Sequence, residues 1–143
     1  MAMSTLRVIL LSLFGIGIII LVFFISLSSQ EKIVKMECSP EFWENNLALW
    51  KVVGVNPNSD FDETFGRDYF EPDITLAEAI SKRGVGLDHI ASSGTAAYLN
   101  AILDPKIDEE IIRKSVNFGY VHQIDSYLAE CKETEKKVPV LLF

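Results

Sequence analysis

Residues 87–103 read LDHIASSGTAAYLNAIL, and this stretch decides the fold. Leu87, Ile90/Ala91, Gly94, Ala97/Tyr98 and Ala101 recur at three- and four-residue spacing, the period of one helix face. Small side chains at Ala91, Gly94 and Ala97 let another helix come close. The pattern predicts a helix from Leu87 to Leu103 at the centre of a helical domain. Asp104-Pro105 ends it, because the residue before a proline is biased away from helical backbone.

Helix signals continue on both sides. Ser39-Pro40-Glu41 is a start: Ser caps, Pro fits the first helical position, and Glu favours the positive end of the dipole. Trp43, Leu47 and Trp50 then form one stripe, and Gly54 closes it. Thr75 and Glu78 have the spacing of a capping box, opening a short helix that stops at Gly84. Asp108 caps a further helix, with Ile107 and Ile112 at hydrophobic-staple spacing, and Gly119 breaks it. A last helix carries Val121, Ile124, Leu128 and Cys131 on one face. Between Asn56 and Asp73 the chain is turn-rich and acidic, with Phe61, Phe65, Tyr69 and Phe70 interleaved. This is a long ordered loop pinned by its rings, each of which gains much by burial. No run alternates as a strand. The fold class is all-α: a bundle of about five helices with a long ordered loop.

The two cysteines, Cys38 and Cys131, bracket this domain. An even pair so placed reads as a disulfide formed in an oxidising compartment; two buried free thiols are the competing reading.

Ahead of the domain, Val8 to Leu27 carries no charge, and its polar side chains are Ser12 and Ser26 alone. About 20 such residues span a bilayer as one transmembrane helix. A cleaved signal peptide is the alternative, with Ser26 and Ser28 imitating a cleavage site, but signal cores usually run about 7–15 residues. Arg7 lies on one side; Lys32 and Lys35 lie on the other, so the positive-inside rule decides little. The cysteine pair orients the chain: N-terminus cytoplasmic, C-terminal domain extracytoplasmic, in the cell membrane by a single pass. The organisation is 1–30 anchor, 31–135 domain and 136–143 apolar tail. Lys132 to Lys137 reads as a solvated charged segment. The end of the chain has three readings: it folds back, it is loose, or it docks through Val138, Val140, Leu141, Leu142 and Phe143.

All 20 acidic residues and all but one of the 13 basic ones follow the apolar run, leaving that part with formal charge −8. That excludes nucleic acid as a partner, since phosphate binding needs Lys and Arg. The partners expected are the lipid bilayer and other membrane or envelope proteins.

Candidates for chemistry are few. His89 and His122 each sit at a helix start, and a zinc site would need a carboxylate beside both; no His pair lies at i, i+3 or i+4. Asn56-x-Asn58-x-Asp60-x-Asp62 spaces oxygens at every second residue, as a calcium loop does. The positions where an EF-hand needs Gly and Glu hold Phe61 and Arg67. Asn58, Asp60 and Asp62 are therefore calcium candidates on partial chemistry. Asp88-His89 with Ser92 and Ser93 lacks a nucleophile elbow. No Gly-rich phosphate loop exists. No catalytic residue and no cofactor are assigned.

Cys38-Ser39-Pro40-Glu41-Phe42-Trp43-Glu44-Asn45-Asn46, followed by Trp50, resembles a motif of many secreted bacterial and archaeal proteins, Cys-x-Pro-Gly-Tyr/Phe-Trp-Lys-Asn-His with a second Trp. The likeness continues in Phe61 to Gly66, Thr75-Leu76-x-x-Ala79, Gly84 to Leu87, and Ala96-Ala97-Tyr98-Leu99-Asn100-Ala101, covering Cys38 to about Tyr127. Glu41, Glu44 and Asn46 depart from the family Gly, Lys and His. The resemblance implies location and helical character rather than an activity.

The function expected is a membrane-anchored extracytoplasmic interaction or structural module without catalysis of its own. The alternative is an accessory subunit of a membrane enzyme complex, an archaeal copper monooxygenase-type assembly for example. A metal-dependent enzyme using His89 and His122 ranks third.

Overall fold

In chain order, a computed structural model places strand β1 (Glu31–Met36), helix α1 (Pro40–Asn45), a 3-10 turn (Leu47–Lys51), α2 (Phe61–Phe65), α3 (Leu76–Ile80), α4 (Leu87–Leu103), α5 (Glu109–Phe118), α6 (Val121–Glu130) and strand β2 (Thr134–Pro139). The structure describes residue 18, residues 31–131 and residues 134–139. It divides into two compact units, residues 34–136 and residues 1–33 with 137–143. Among the described residues no helix is long and apolar enough to cross a membrane. The run from Val8 to Leu27 lies outside the described residues except for Ile18.

The larger unit is mostly helical, built around α4. Every residue from Ile90 to Ala101 is buried, polar ones included. Gly94 explains how a neighbour reaches so close: a Cβ there would sit 2.6 Å from Cγ2 of Val116 on α5. Ile112, Val116 and Ile124 bury fully from α5 and α6, and Leu76 and Ile80 from α3. The expected caps form. Thr75 and Glu78 make the reciprocal capping box, and Asp108 accepts from the Glu110 amide at 2.9 Å. Gly119 closes α5 with φ 70°, left-handed backbone open to glycine.

Polar threads tie α1 to α4. The Trp43 indole Nε1–H donates to Asn100 Oδ1 at 2.8 Å, and Asn100 Nδ2 donates to the Cys38 carbonyl at 2.9 Å. Trp50 donates to the Trp43 carbonyl at 3.0 Å. Next to this lock Cys38 and Cys131 form the disulfide, with Cα atoms 6.1 Å apart.

Two expectations need correction. Leu47 does not share the Trp43–Trp50 stripe: it is 41% exposed, and Leu49 is buried instead. Asn46 leaves helical backbone and its side chain donates to the Phe42 carbonyl, so the chain restarts as a 3-10 turn. Three residues per turn then shift which side chain faces inward. The second correction concerns the domain ends. No run reads as a strand in the sequence, yet β1 and β2 pair as a two-stranded sheet; Glu135 and Lys137 of β2 are exposed, in keeping with a solvated charged segment. In β1 three of four residues from Ile33 to Met36 are apolar, and β2 is charged and ends on Pro139; neither shows strict alternation. Val138 lies in β2, while Val140, Leu141, Leu142 and Phe143 lie outside the described residues.

Candidate functional site

The aromatic acidic loop is closed by an antiparallel bridge between Asp60 and Thr75. Phe61 donates its amide to the Ile74 carbonyl at 2.9 Å, and Leu76 donates to Ser59 at 2.8 Å. Within it α2 forms because Asp60 caps it, Oδ1 accepting from the Glu63 amide at 2.7 Å. Phe61 and Phe65 pack ring to ring at 4.7 Å, and Phe65 meets Tyr98 of α4 edge-on at 5.6 Å. The loop is thus pinned by its rings, as its composition implies.

Polar contacts fix its far side against α5. The Tyr69 hydroxyl lies 2.7 Å from the Val116 carbonyl and 2.8 Å from that of Asn117. Burial raises the Tyr69 pKa; Arg67 opposes the rise and the Asp62 charge adds to it. Arg67 donates to the Asn117 carbonyl at 2.9 Å, and its guanidinium sits 4.8 Å from the Tyr69 ring centre. Arg113 reaches the Thr64 carbonyl, the Tyr98 hydroxyl and Glu109. Burial works against its charge, yet the hydrogen bond with Glu109 and the Tyr98 contact outweigh it and leave the pKa raised.

Asp62 is the unusual member. Its Oδ2 accepts from two consecutive amides, Tyr69 at 2.9 Å and Phe70 at 3.0 Å. Its Oδ1 is buried with no hydrogen-bond partner, and the residue is only 9% exposed. Asp62, exposed Asp68 and exposed Asp73 each present one carboxylate oxygen within 4.8 Å of the others. The three line one cleft. Among the described residues no lysine or arginine forms an ion pair with any of them.

Of the alternating oxygens of the sequence, Asp60 and Asp62 line one cleft and Asn58 does not. Asn58 takes part in a local turn, its amide donating to Asn56 Oδ1 at 3.0 Å, and Asp60 caps α2. Of the calcium candidates Asp62 alone joins an acidic group. Its companions Asp68 and Asp73, six and eleven residues on, carry no spacing signal; the folding of the loop around its rings brings them together. His89 is engaged elsewhere, Nε2 lying 2.8 Å from Asp125 Oδ1. Among the described residues the aspartate trio is the sole group of three acidic, His or Cys side chains close enough to share an ion, so His89 and His122 do not meet over one carboxylate. Ser92 donates to the Asp88 carbonyl at 3.1 Å, and the His89 ring nitrogen Nε2 faces Asp125 instead of a serine.

One surface escaped sequence reading. Phe118 and Tyr120 stack at 5.7 Å between ring centres, both more than half exposed, and Ile111 lies exposed two turns before Phe118. Phe118 ends a helix and Tyr120 precedes the next, so no periodicity links them. Comparison of the chain with protein-family models, curated proteins and solved structures gives no match.

Proposed function

We propose that the chain is a membrane-anchored extracytoplasmic interaction module with no catalysis of its own. The observation that carries this reading is the Cys38–Cys131 bond, which closes the helical unit at its two ends. Such bonds persist in oxidising compartments. The uncharged run from Val8 to Leu27 supports an anchor, its length matching a roughly 30 Å hydrocarbon core. The motif beginning at Cys38, with its likeness to secreted proteins, supports the same side of the membrane. The stacked Phe118 and Tyr120 with Ile111 support docking, because exposed aromatic side chains are the usual anchors of protein interfaces.

The test is purification of the full chain at its natural level in mild detergent, with thiol labelling before and after reduction. The expected result is migration with another membrane or envelope protein and labelling only after reduction. The double substitution F118S/Y120S releases the partner. Migration as a solitary species overturns the interaction role, and thiols that label without reduction overturn the location. Migration with an enzyme assembly assigns the chain to that assembly as an accessory subunit.

A further inference from the structure

We infer that Asp62, Asp68 and Asp73 form a binding site for a hard divalent cation of the calcium class. Two independent observations carry this. The first is the convergence of three carboxylate oxygens within 4.8 Å of one another, with no cationic side chain among the described residues paired to them. The second is the state of Asp62 itself. Oδ2 holds the amides of Tyr69 and Phe70, while Oδ1 of the same carboxylate is buried without a hydrogen-bond partner. Buried polar oxygens in folded proteins are nearly always bonded, and an orphan carboxylate oxygen beside two further carboxylates calls for an explanation such as a bound ion. A cation supplies what an amide or hydroxyl does not here: it satisfies Oδ1 and relieves the repulsion among three like charges together.

Calcium fits by size and by chemistry. It takes oxygen ligands at about 2.3–2.6 Å in flexible geometry, so two oxygens across one ion stand about 4.8 Å apart. Asp62 is rigid, tied by two amides, while Asp68 and Asp73 are exposed and close on the ion from the solvent side. Three protein carboxylates leave the remaining coordination to water. Such a site belongs to the weak class, with Kd about 0.1–1 mM. Arg67 borders the cleft, but its guanidinium is held by the Asn117 carbonyl and the Tyr69 ring.

The site is also distinct from the alternating-oxygen pattern, of which it uses only Asp62. It is independent of the interaction role, and either proposal stands if the other fails.

The test uses the full disulfide-bonded chain in mild detergent, freed of metal by chelation. Thermal unfolding is followed with calcium chloride at about 10 mM, against magnesium and against potassium at matched ionic strength. A site of this class raises the melting temperature by about 5 °C or more. D68N/D73N, at exposed positions whose side chains make no hydrogen bond among the described residues, melts as cooperatively as the parent and loses the calcium response. Terbium luminescence, sensitised by the nearby Tyr69 and displaced by calcium, reports occupancy without reference to stability. The inference is overturned by an absent calcium shift, by an equal shift with potassium, by a shift that survives D68N/D73N, or by terbium emission that calcium leaves unchanged.

Discussion

Gly94→Ala turns the close approach of α4 and α5 into a question of sign. On a helix surface this substitution stabilises by about 1 kcal/mol, since Ala is the better helix former. Here the new Cβ stands 2.6 Å from Val116 Cγ2, well inside ordinary contact distance. Val116 is fully buried and β-branched in a helix, so its side chain holds one rotamer and has little room to turn. The overlap is relieved by moving helices apart, and overpacking of this kind costs about 1–3 kcal/mol. The net expectation is a loss of about 1 kcal/mol, or roughly 5 °C in melting temperature. Urea unfolding of the parent, G94A, V116A and the double variant measures it. The double variant is expected to show a favourable coupling of about 1 kcal/mol or more, because V116A removes the atoms that G94A strikes. A G94A chain more stable than the parent, or single effects that simply add, refutes the packing argument.

Three further outcomes follow from the polar locks. Asn100→Leu strands the buried Trp43 indole N–H, at about 1–3 kcal/mol, and removes a part-buried bond to the Cys38 carbonyl; urea midpoints read the loss. Reducing Cys38–Cys131, which are 93 residues apart, lowers unfolding free energy by about 4–5 kcal/mol in the chain-entropy model, measured with and without a phosphine reductant. Glu78 has its pKa lowered by the Thr75 backbone and side-chain hydrogen bonds. Its contribution is present above the unfolded carboxylate value and is lost as pH falls through the lower folded value. Melting curves taken toward acid therefore fall more steeply for the parent than for E78Q, whose amide oxygen still accepts from Thr75.

What was legible in the sequence was local. The span of α4, the caps at Ser39, Thr75 and Asp108, and the stop at Gly119 each depend on residues within one turn, and they form as read. The disulfide was legible because the two cysteines flank the domain, Cys38 just before the first helix and Cys131 at the end of the last. Where a prediction depended on phase carried across a break, it slipped: Asn46 reset the register and exchanged Leu47 for Leu49. β1 and β2 were illegible because each is a pairing partner rather than an amphipathic strand. The acidic trio was illegible for a related reason. Asp68 and Asp73 reach Asp62 only through contacts of Phe61, Tyr69 and Phe70, which are tertiary.

Asp62 is where local consistency gives way, and its role is decidable by one substitution. It stands directly after Phe61 and three residues before Phe65 in a five-residue helix, and it is buried. Shaping the loop requires one acceptor for the amides of Tyr69 and Phe70. An asparagine carbonyl supplies that without burying a charge, which is costly unless fully paired. The negative charge and the second oxygen are therefore surplus to loop shape, and Asp68 and Asp73 add two more charges within 4.8 Å of them. Stability alone would disperse these groups; a bound cation uses all of them. Asp62→Asn separates the two accounts. It keeps the acceptor, removes a repelling charge and offers an N–H to its two neighbours. Without metal, D62N is expected to melt at or above the parent; in saturating calcium it melts below the parent, because the parent alone responds. A D62N chain destabilised by the same amount with and without calcium shows instead that the carboxylate serves the loop and nothing more.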